Sequence, residues 1–140
     1  MGVYTINTIM EPGGVYQSTA HGQTINLESK RDKTCMNPGE VLLAALGACK
    51  CMSFYDLAKK YGMDIQQCQV EIHGVTGKGP VIPGTHIPSS KLLSVEYVYK
   101  IQSANSDAEL ENYMKYVDGA CTVGNSLKDD ILQSHRFERL

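Results

Sequence analysis

The chain has 140 residues, of which 42% are hydrophobic and 20% charged, and its 13 basic and 15 acidic side chains leave a net charge of −2. A length of this order fits a single domain, residues 1–140, able to bury roughly two thirds of the surface its unfolded chain exposes, so the fold needs no disulfide staples. No basic block is present to track a phosphate backbone, which argues against a nucleic-acid partner.

In chain order, Met1 to Ile6 offers no cationic segment followed by an apolar run. The longest apolar stretch, Val41 to Cys49, is too short to cross a bilayer, so the expectation is a cytosolic protein with no membrane partner. Val3 to Ile9 alternates apolar with polar residues and predicts a strand. Glu11-Pro12-Gly13-Gly14 reads as a turn, Val15 to Ala20 as a second strand, His21-Gly22 as a second turn, and Thr24 to Glu28 as a third strand. The three make an antiparallel meander. Ser29 to Met36 is a polar loop carrying Lys30, Arg31, Asp32 and Lys33.

A long helix follows. Asn37 suits the N-cap, Pro38 the first helical position, and Glu40 stands where its carboxylate can return a hydrogen bond to the cap. From Val41 through Tyr61 nothing breaks the helix, Lys59 and Lys60 complement its negative end, and Gly62 can close it in the left-handed conformation. About two dozen residues at about 1.5 Å each give a helix of roughly 36 Å. Val41 to Cys49 is apolar on every side, and such a helix must be covered on every side, which implies a homodimer that shares its core.

Beyond Gly62, Ile65 to Val75 and Leu92 to Ile101 both alternate and pair as a hairpin across a Gly- and Pro-rich loop, Gly77 to Ser90. Asp107 to Val117 is a second helix, capped by Ser106 with Glu109 three residues on. Thr122 to Leu132 reads as a short helical turn leading into a last extended piece. Strands and helices are segregated along the chain, so the fold class is α+β.

Five cysteines, an odd number with no secretory signal, argue against a structural disulfide framework. Cys49 falls in mid-helix, where burial raises a thiol pKa, so as a nucleophile it needs a cation from elsewhere. Cys51 lies about 200° further around the helix, so the two cannot chelate one metal, and no cofactor is expected. Cys35 and Cys68 read as structural. Cys121 follows Gly119-Ala120 and precedes a helix start, where free backbone N–H groups lower a thiol pKa. None of His21, His73, His86 and His135 stands at ligand spacing to another, and none is given a role. Tyr113, Tyr116 and Asp118 precede Cys121, where they could line its groove, and read first as one face of an amphipathic helix.

The segment Asn37 to Cys49, with its Asn-Pro-x-Glu start and its apolar run ending in Ala48-Cys49, together with Cys121-Thr122-Val123-Gly124-Asn125-Ser126-Leu127-Lys128, resembles the OsmC/Ohr family of thiol-dependent peroxidases. The order of elements along nearly the whole chain fits the same resemblance. It implies antiparallel sheets around a long central helix and an intertwined homodimer with active sites at the subunit interface. It also implies that Cys49 is the peroxidatic thiolate, oxidised by an organic hydroperoxide to a sulfenic acid, and that Cys121 resolves it as a disulfide. A dithiol such as a lipoylated protein would then reduce that disulfide. Family members set an Arg and a Glu against the nucleophilic sulfur. Arg31 stands in the loop where the OsmC branch carries its Arg, with Lys50 and Lys33 as substitutes, and Glu40 is the nearest acid to the expected Glu position, which Gly39 occupies. An alternative remains open: an OsmC-like dimer that binds a small ligand and has weak or no peroxidase activity.

Overall fold

The computed structural model describes residues 2–28 and 34–140. It divides into two compact units, Met1–Ala44 and Ala45–Leu140.

The first unit holds a three-stranded antiparallel meander of β1 (Asn7–Glu11), β2 (Val15–Ala20) and β3 (Gln23–Glu28), in that order. Its tight turn is set by His21 and Gly22, both at positive φ (51° and 74°), which lets Ala20 pair directly with Gln23. That turn also shortens the first strand relative to the expected Val3 start. Asn7 pairs with Thr19, and two residues further back Thr5 would have to pair with His21, which is already turning away. Cross-strand hydroxyl pairs, Thr8 with Ser18 at 2.9 Å on one face and Thr19 with Thr24 at 3.1 Å on the other, tie the strands together.

Helix α1 (Pro38–Ala58) begins in this unit and runs into the second. Its start and its closing glycine follow the sequence, although the helix proper ends at Ala58, three residues before the expected Tyr61, and leaves Lys59 and Lys60 in the closing turn. The Glu40 N–H donates to Asn37 Oδ1 at 2.9 Å while the Asn37 N–H donates to Glu40 Oε2 at 2.8 Å, a complete capping box. At the other end Gly62 has φ +64°, its N–H reaches the Lys59 carbonyl at 3.4 Å, and the Met63 N–H reaches the Ala58 carbonyl at 2.8 Å. That pair of bonds is a Schellman closure. The helix has 21 residues, with a mean hydropathy of 1.5 over its most apolar 18, and so is long and apolar enough by composition to cross a membrane, which the shorter run Val41 to Cys49 did not suggest. Lys50 at its middle, buried and ion-paired, and Phe54 tie it instead to the sheet and helix of the second unit. Only Leu46, Lys50, Ser53 and Phe54 of α1 are buried within one chain.

The second unit also contains β4 (Ile65–Val81), β5 (Pro88–Ser103), α2 (Asp107–Ala120), α3 (Thr122–Asn125) and β6 (Leu132–Arg139). Its sheet runs β4-β5-β6 and is mixed, because β5 pairs antiparallel with β4 but parallel with β6. The parallel strand departs from the all-antiparallel expectation, and α2 with α3 supplies the crossover such a pairing requires. The hairpin is longer than expected: the segment 77–90, read as a loop, is mostly strand, with a turn only between Val81 and Pro88. The reason lies across the ladder. A Cβ at Gly77 would stand 2.6 Å from Leu93 Cδ1, and one at Gly79 2.5 Å from Ser89 Oγ. These glycines make room for side chains from β5, and bulges at Val75/Thr76 and Lys78/Val81 absorb the irregularity.

The core lies between β5 and the helices. Val95, Tyr97, Val98, Tyr99 and Ile101 are buried on the central strand, and α2 buries Leu110, Tyr113, Met114 and Val117 at helical spacing. Phe54 packs against Tyr99 and, edge-on, against Tyr113, each with ring centroids 5.1 Å apart. The Tyr113 hydroxyl donates to the Phe54 carbonyl at 2.5 Å, so the ring that fills the core also pins the helix backbone. Helix α2 opens on the expected capping box between Ser106 and Glu109.

Candidate active site

Two thiols meet in the second unit. Helix α1 carries Cys49, a half-buried residue, and the junction of α2 and α3 carries Cys121, which is fully buried. Cys49 lies near enough to Cys121 to push its thiol up. The junction is shaped by the chain itself: Cys121 closes α2, its N–H donating to the Val117 and Asp118 carbonyls at 3.1 and 3.3 Å, and at the same time caps α3. Asn125 bonds back to the Gly119 carbonyl at 2.8 Å and locks the two helices at this corner.

The Gly124 N–H donates to Cys121 Sγ at 3.3 Å, the contact expected from a helix start. Even so, the Cys121 thiol is pushed up, not down. Burial is the largest influence and raises it, the Gly124 N–H opposes, Cys49 beside it raises it further, and the Lys50 ammonium lowers it. The lowered pKa expected from sequence does not survive full burial in an apolar corner. Cys121 is thus a neutral thiol held next to a cation.

That cation belongs to a polar network running beneath the thiols. Lys50 Nζ donates to Asp118 Oδ1 at 2.6 Å and lies over the Tyr97 ring, 4.6 Å from its centroid. The Tyr99 hydroxyl donates to the same Asp118 oxygen at 3.0 Å, and His135 Nδ1 meets the other at 2.7 Å. His135 Nε2 in turn meets Glu111 Oε1 at 3.0 Å. Strand β6 places a further link, Gln133, which accepts from the Tyr97 hydroxyl at 2.7 Å and donates to the Gly124 carbonyl at 3.1 Å. Gln133 and His135 share one face because they are two apart on a strand, and the parallel register sets them beside Val95 and Tyr97. Among the described residues no buried side-chain polar atom lacks a partner. A polar cavity of about 220 Å³ opens among Lys50, Asp118, Asn125 and His135.

The network shifts its own titrations. Burial would lower the His135 pKa, but the carboxylates of Glu111 and Asp118 on its two ring nitrogens outweigh burial and raise it. Burial, with Cys121, Asp118 and Cys49 adding to it, pushes the Tyr97 phenol up to about 12, and burial with Asp118 pushes Tyr99 higher still.

Of the four residues singled out from sequence, the structure brings Cys49 and Cys121 together. Glu40 belongs to the first unit, where its carboxylate is engaged by the Asn37 N–H. Arg31 lies outside the described residues. Asp118, read as part of a helix face, turns out to hold Lys50, and His135, which no sequence feature singles out, holds Asp118. The one available signal was Lys50 itself, a charge in the middle of an apolar helix that needs a buried partner.

A family model described as OsmC-like protein matches residues 31–134. A search of curated proteins finds no match. The fold is similar to the OsmC-like protein from Mycoplasma pneumoniae, with a TM-score of 0.87 at 17% identity over 99% of this chain and 98% of that one. It is also similar to an organic hydroperoxide resistance protein from Elizabethkingia anophelis (TM-score 0.79, 15% identity, 99% of both chains). A third similar structure is the organic hydroperoxide resistance protein OsmC from Legionella pneumophila (TM-score 0.77, 16% identity, 99% of both chains). With the family model covering most of its length and the α+β OsmC-like fold in place, the chain belongs to the OsmC-like protein family.

Proposed function

We propose that this protein is a thiol-dependent peroxidase that reduces organic hydroperoxides to alcohols, with Cys49 as the peroxidatic and Cys121 as the resolving cysteine. The observation that carries this reading is the adjacency of the two thiols beside the buried Lys50. Burial divides their labour. Cys49 is half-buried and open to an oxidant, whereas Cys121 is sealed and held as a neutral thiol until a sulfur electrophile forms next to it.

The Cys49 thiolate attacks the distal oxygen of ROOH, the O–O bond breaks, and the alkoxide takes a proton and leaves as ROH. Cys49 is left as a sulfenic acid. Cys121 then loses its proton, attacks the Cys49 sulfur and expels hydroxide, which that proton converts to water, leaving the Cys49–Cys121 disulfide. Lys50 favours the Cys121 thiolate at that moment. An external dithiol, such as a lipoylated protein, restores both thiols by two exchanges, and the cycle needs no cofactor. In this reading Arg31 is the cation that activates Cys49, and the protein works in the cytosol.

A homodimer belongs to the same proposal. Leu42, Met52 and Tyr55 of α1 are exposed in the single chain, as are Val3, Tyr4 and Met10 of the first unit, and a second copy would cover such apolar surface. A second reading, a dimer that binds a small ligand and turns over peroxide weakly, is favoured by Gly39 in the expected glutamate position and by Glu40 being engaged as a cap.

Titration with cumene hydroperoxide, followed by intact mass and peptide mapping, tests the proposal. The expected result is a stoichiometric Cys49–Cys121 disulfide, dithiol-dependent peroxide consumption that Cys49→Ser abolishes, and a sulfenic acid at Cys49 trapped by dimedone in Cys121→Ser. Peroxide left unconsumed with both thiols free would favour the second reading.

A further inference from the structure

The opposite side of α1 presents another pair of thiols. Cys51 follows Cys49 by two positions, a rotation of about 200°, so it faces a different part of the unit. Strand β4 turns Cys68, Val70 and Ile72 to one face, as alternate residues must. Gly47, one turn before Cys51 on the helix, sits against Ile72, whose Cδ1 is 3.3 Å from where a Gly47 Cβ would be. Cys51 falls one turn along the same helix face, with the Cys68 thiol and the Val70 backbone as its neighbours. Cys51 and Cys68 together line a groove of about 690 Å³ whose walls include Phe54, Tyr55, Met63 and Ile65. The sequence reading had set both cysteines aside, Cys51 as facing away from Cys49 and Cys68 as structural.

We propose that Cys51 and Cys68 form a second redox-active dithiol, separate from Cys49 and Cys121, that exchanges with a small organic disulfide held in this groove. The two thiols have unequal roles. The Cys68 thiol is the largest influence on Cys51 and favours its thiolate, burial opposes and the Val70 backbone assists, which together bring Cys51 down to about 7. Cys68 keeps its proton, pushed up first by its neighbour Cys51 and then by burial. Near neutral pH the pair therefore holds one proton, the attacking sulfur being Cys51.

The exchange balances as follows. The Cys51 thiolate attacks one sulfur of RSSR, the S–S bond breaks, and RS⁻ leaves and takes up a proton, with Cys51 now in a mixed disulfide. Cys68 gives up its proton and attacks the Cys51 sulfur, RS⁻ leaves and takes that proton, and the Cys51–Cys68 disulfide remains. One disulfide is reduced to two thiols and one protein dithiol is oxidised. Nothing in this step uses Cys49 or Cys121, so it stands or falls apart from the peroxidase reading.

A variant with Cys35→Ser, Cys49→Ser and Cys121→Ser retains only this pair. Treated with hydroxyethyl disulfide, it should lose two hydrogens in intact mass and yield a single cross-linked peptide joining Cys51 to Cys68. With Cys68 in place the exchange rate should be half-maximal near pH 7, as the thiolate fraction of Cys51 requires; adding Cys68→Ser should trap the mixed disulfide on Cys51 and move that midpoint to higher pH, because the thiol that favours the Cys51 thiolate is gone. Differential alkylation of the wild-type chain after the same treatment reads the pair without depending on the variant's folding: Cys51 and Cys68 should become protected together. Protection of one without the other, a first adduct on Cys68, or two free thiols after treatment would overturn the proposal.

Discussion

Replacing Lys50 with Met isolates the buried charge beneath the thiols. The thioether fills most of the space of the lysine stem, so packing changes little, while the ammonium disappears from Asp118, 2.6 Å away, and from the Tyr97 ring, 4.6 Å away. A hydrogen bond to a charged group contributes about 1.5–3 kcal/mol, and a cation over an aromatic ring in a desolvated place about 1–2 kcal/mol. Stripping one partner from a fully buried pair costs about 3–5 kcal/mol. Asp118 is 32% exposed and keeps Tyr99 and His135 as partners, which moves the expectation to the lower end, about 3 kcal/mol. Urea unfolding at fixed protein concentration measures it. Combining Lys50→Met with Asp118→Asn should give clearly less than the sum of the two single effects, with a coupling of about 1–3 kcal/mol. Because Lys50 also lowers the Cys121 thiol, Lys50→Met should prolong the life of the Cys49 sulfenic acid as followed by dimedone capture. A loss under about 0.5 kcal/mol, or strictly additive effects, would refute the buried-pair reasoning.

Other expectations are more local. His135 has a pKa raised in the folded protein by Glu111 and Asp118, so its contribution to stability is complete below the unfolded value of about 6.5 and fades as pH rises through the raised folded value. Melting temperatures taken from pH 5.5 to 8.5 should fall across that window in the wild type, and the fall should be shallower in His135→Gln. Gly79→Ala should cost about 1–3 kcal/mol by denaturant unfolding, because its Cβ would meet Ser89 Oγ at 2.5 Å and that hydroxyl is already committed to the Pro80 carbonyl at 2.7 Å. Gly124→Ala places a methyl 3.3 Å from Cys121 Sγ and 3.6 Å from Lys50 Nζ, and should slow disulfide formation between Cys49 and Cys121 more than it lowers helix content by circular dichroism. Asn37→Ala removes one half of the α1 capping box and should cost about 1 kcal/mol in denaturant unfolding.

What the sequence could determine was carried by interactions between near neighbours. Asn37 with Glu40 and Ser106 with Glu109 act over three residues, and Gly62 closes α1 through groups within one turn, so each helix end is written where it occurs. The stripe Leu110, Tyr113, Met114 and Val117 announces the buried face of α2 in the same way. The two cysteines later found side by side were legible only through their distinctive contexts, since 72 positions separate Cys49 from Cys121 and no local rule reaches that far.

Tertiary structure decided the rest. Gly77 and Gly79 looked like loop residues until β5 laid Leu93 and Ser89 across them, because the same missing Cβ that frees a turn also admits a neighbour's side chain. Full burial reversed the expected acidity of Cys121, since desolvation depends on everything packed around a sulfur and not on the helix start beside it. The parallel register of β6 delivered His135 and Gln133 to Asp118 and Tyr97, and α1 brought Lys50 to the same carboxylate from 68 residues away. Cys51 met Cys68 only because α1 crosses β4 at Gly47 and Ile72. Caps and stripes depend on contacts between near neighbours and survive in the sequence, whereas a charge pair or a thiol pair depends on which distant surfaces the packed elements bring together.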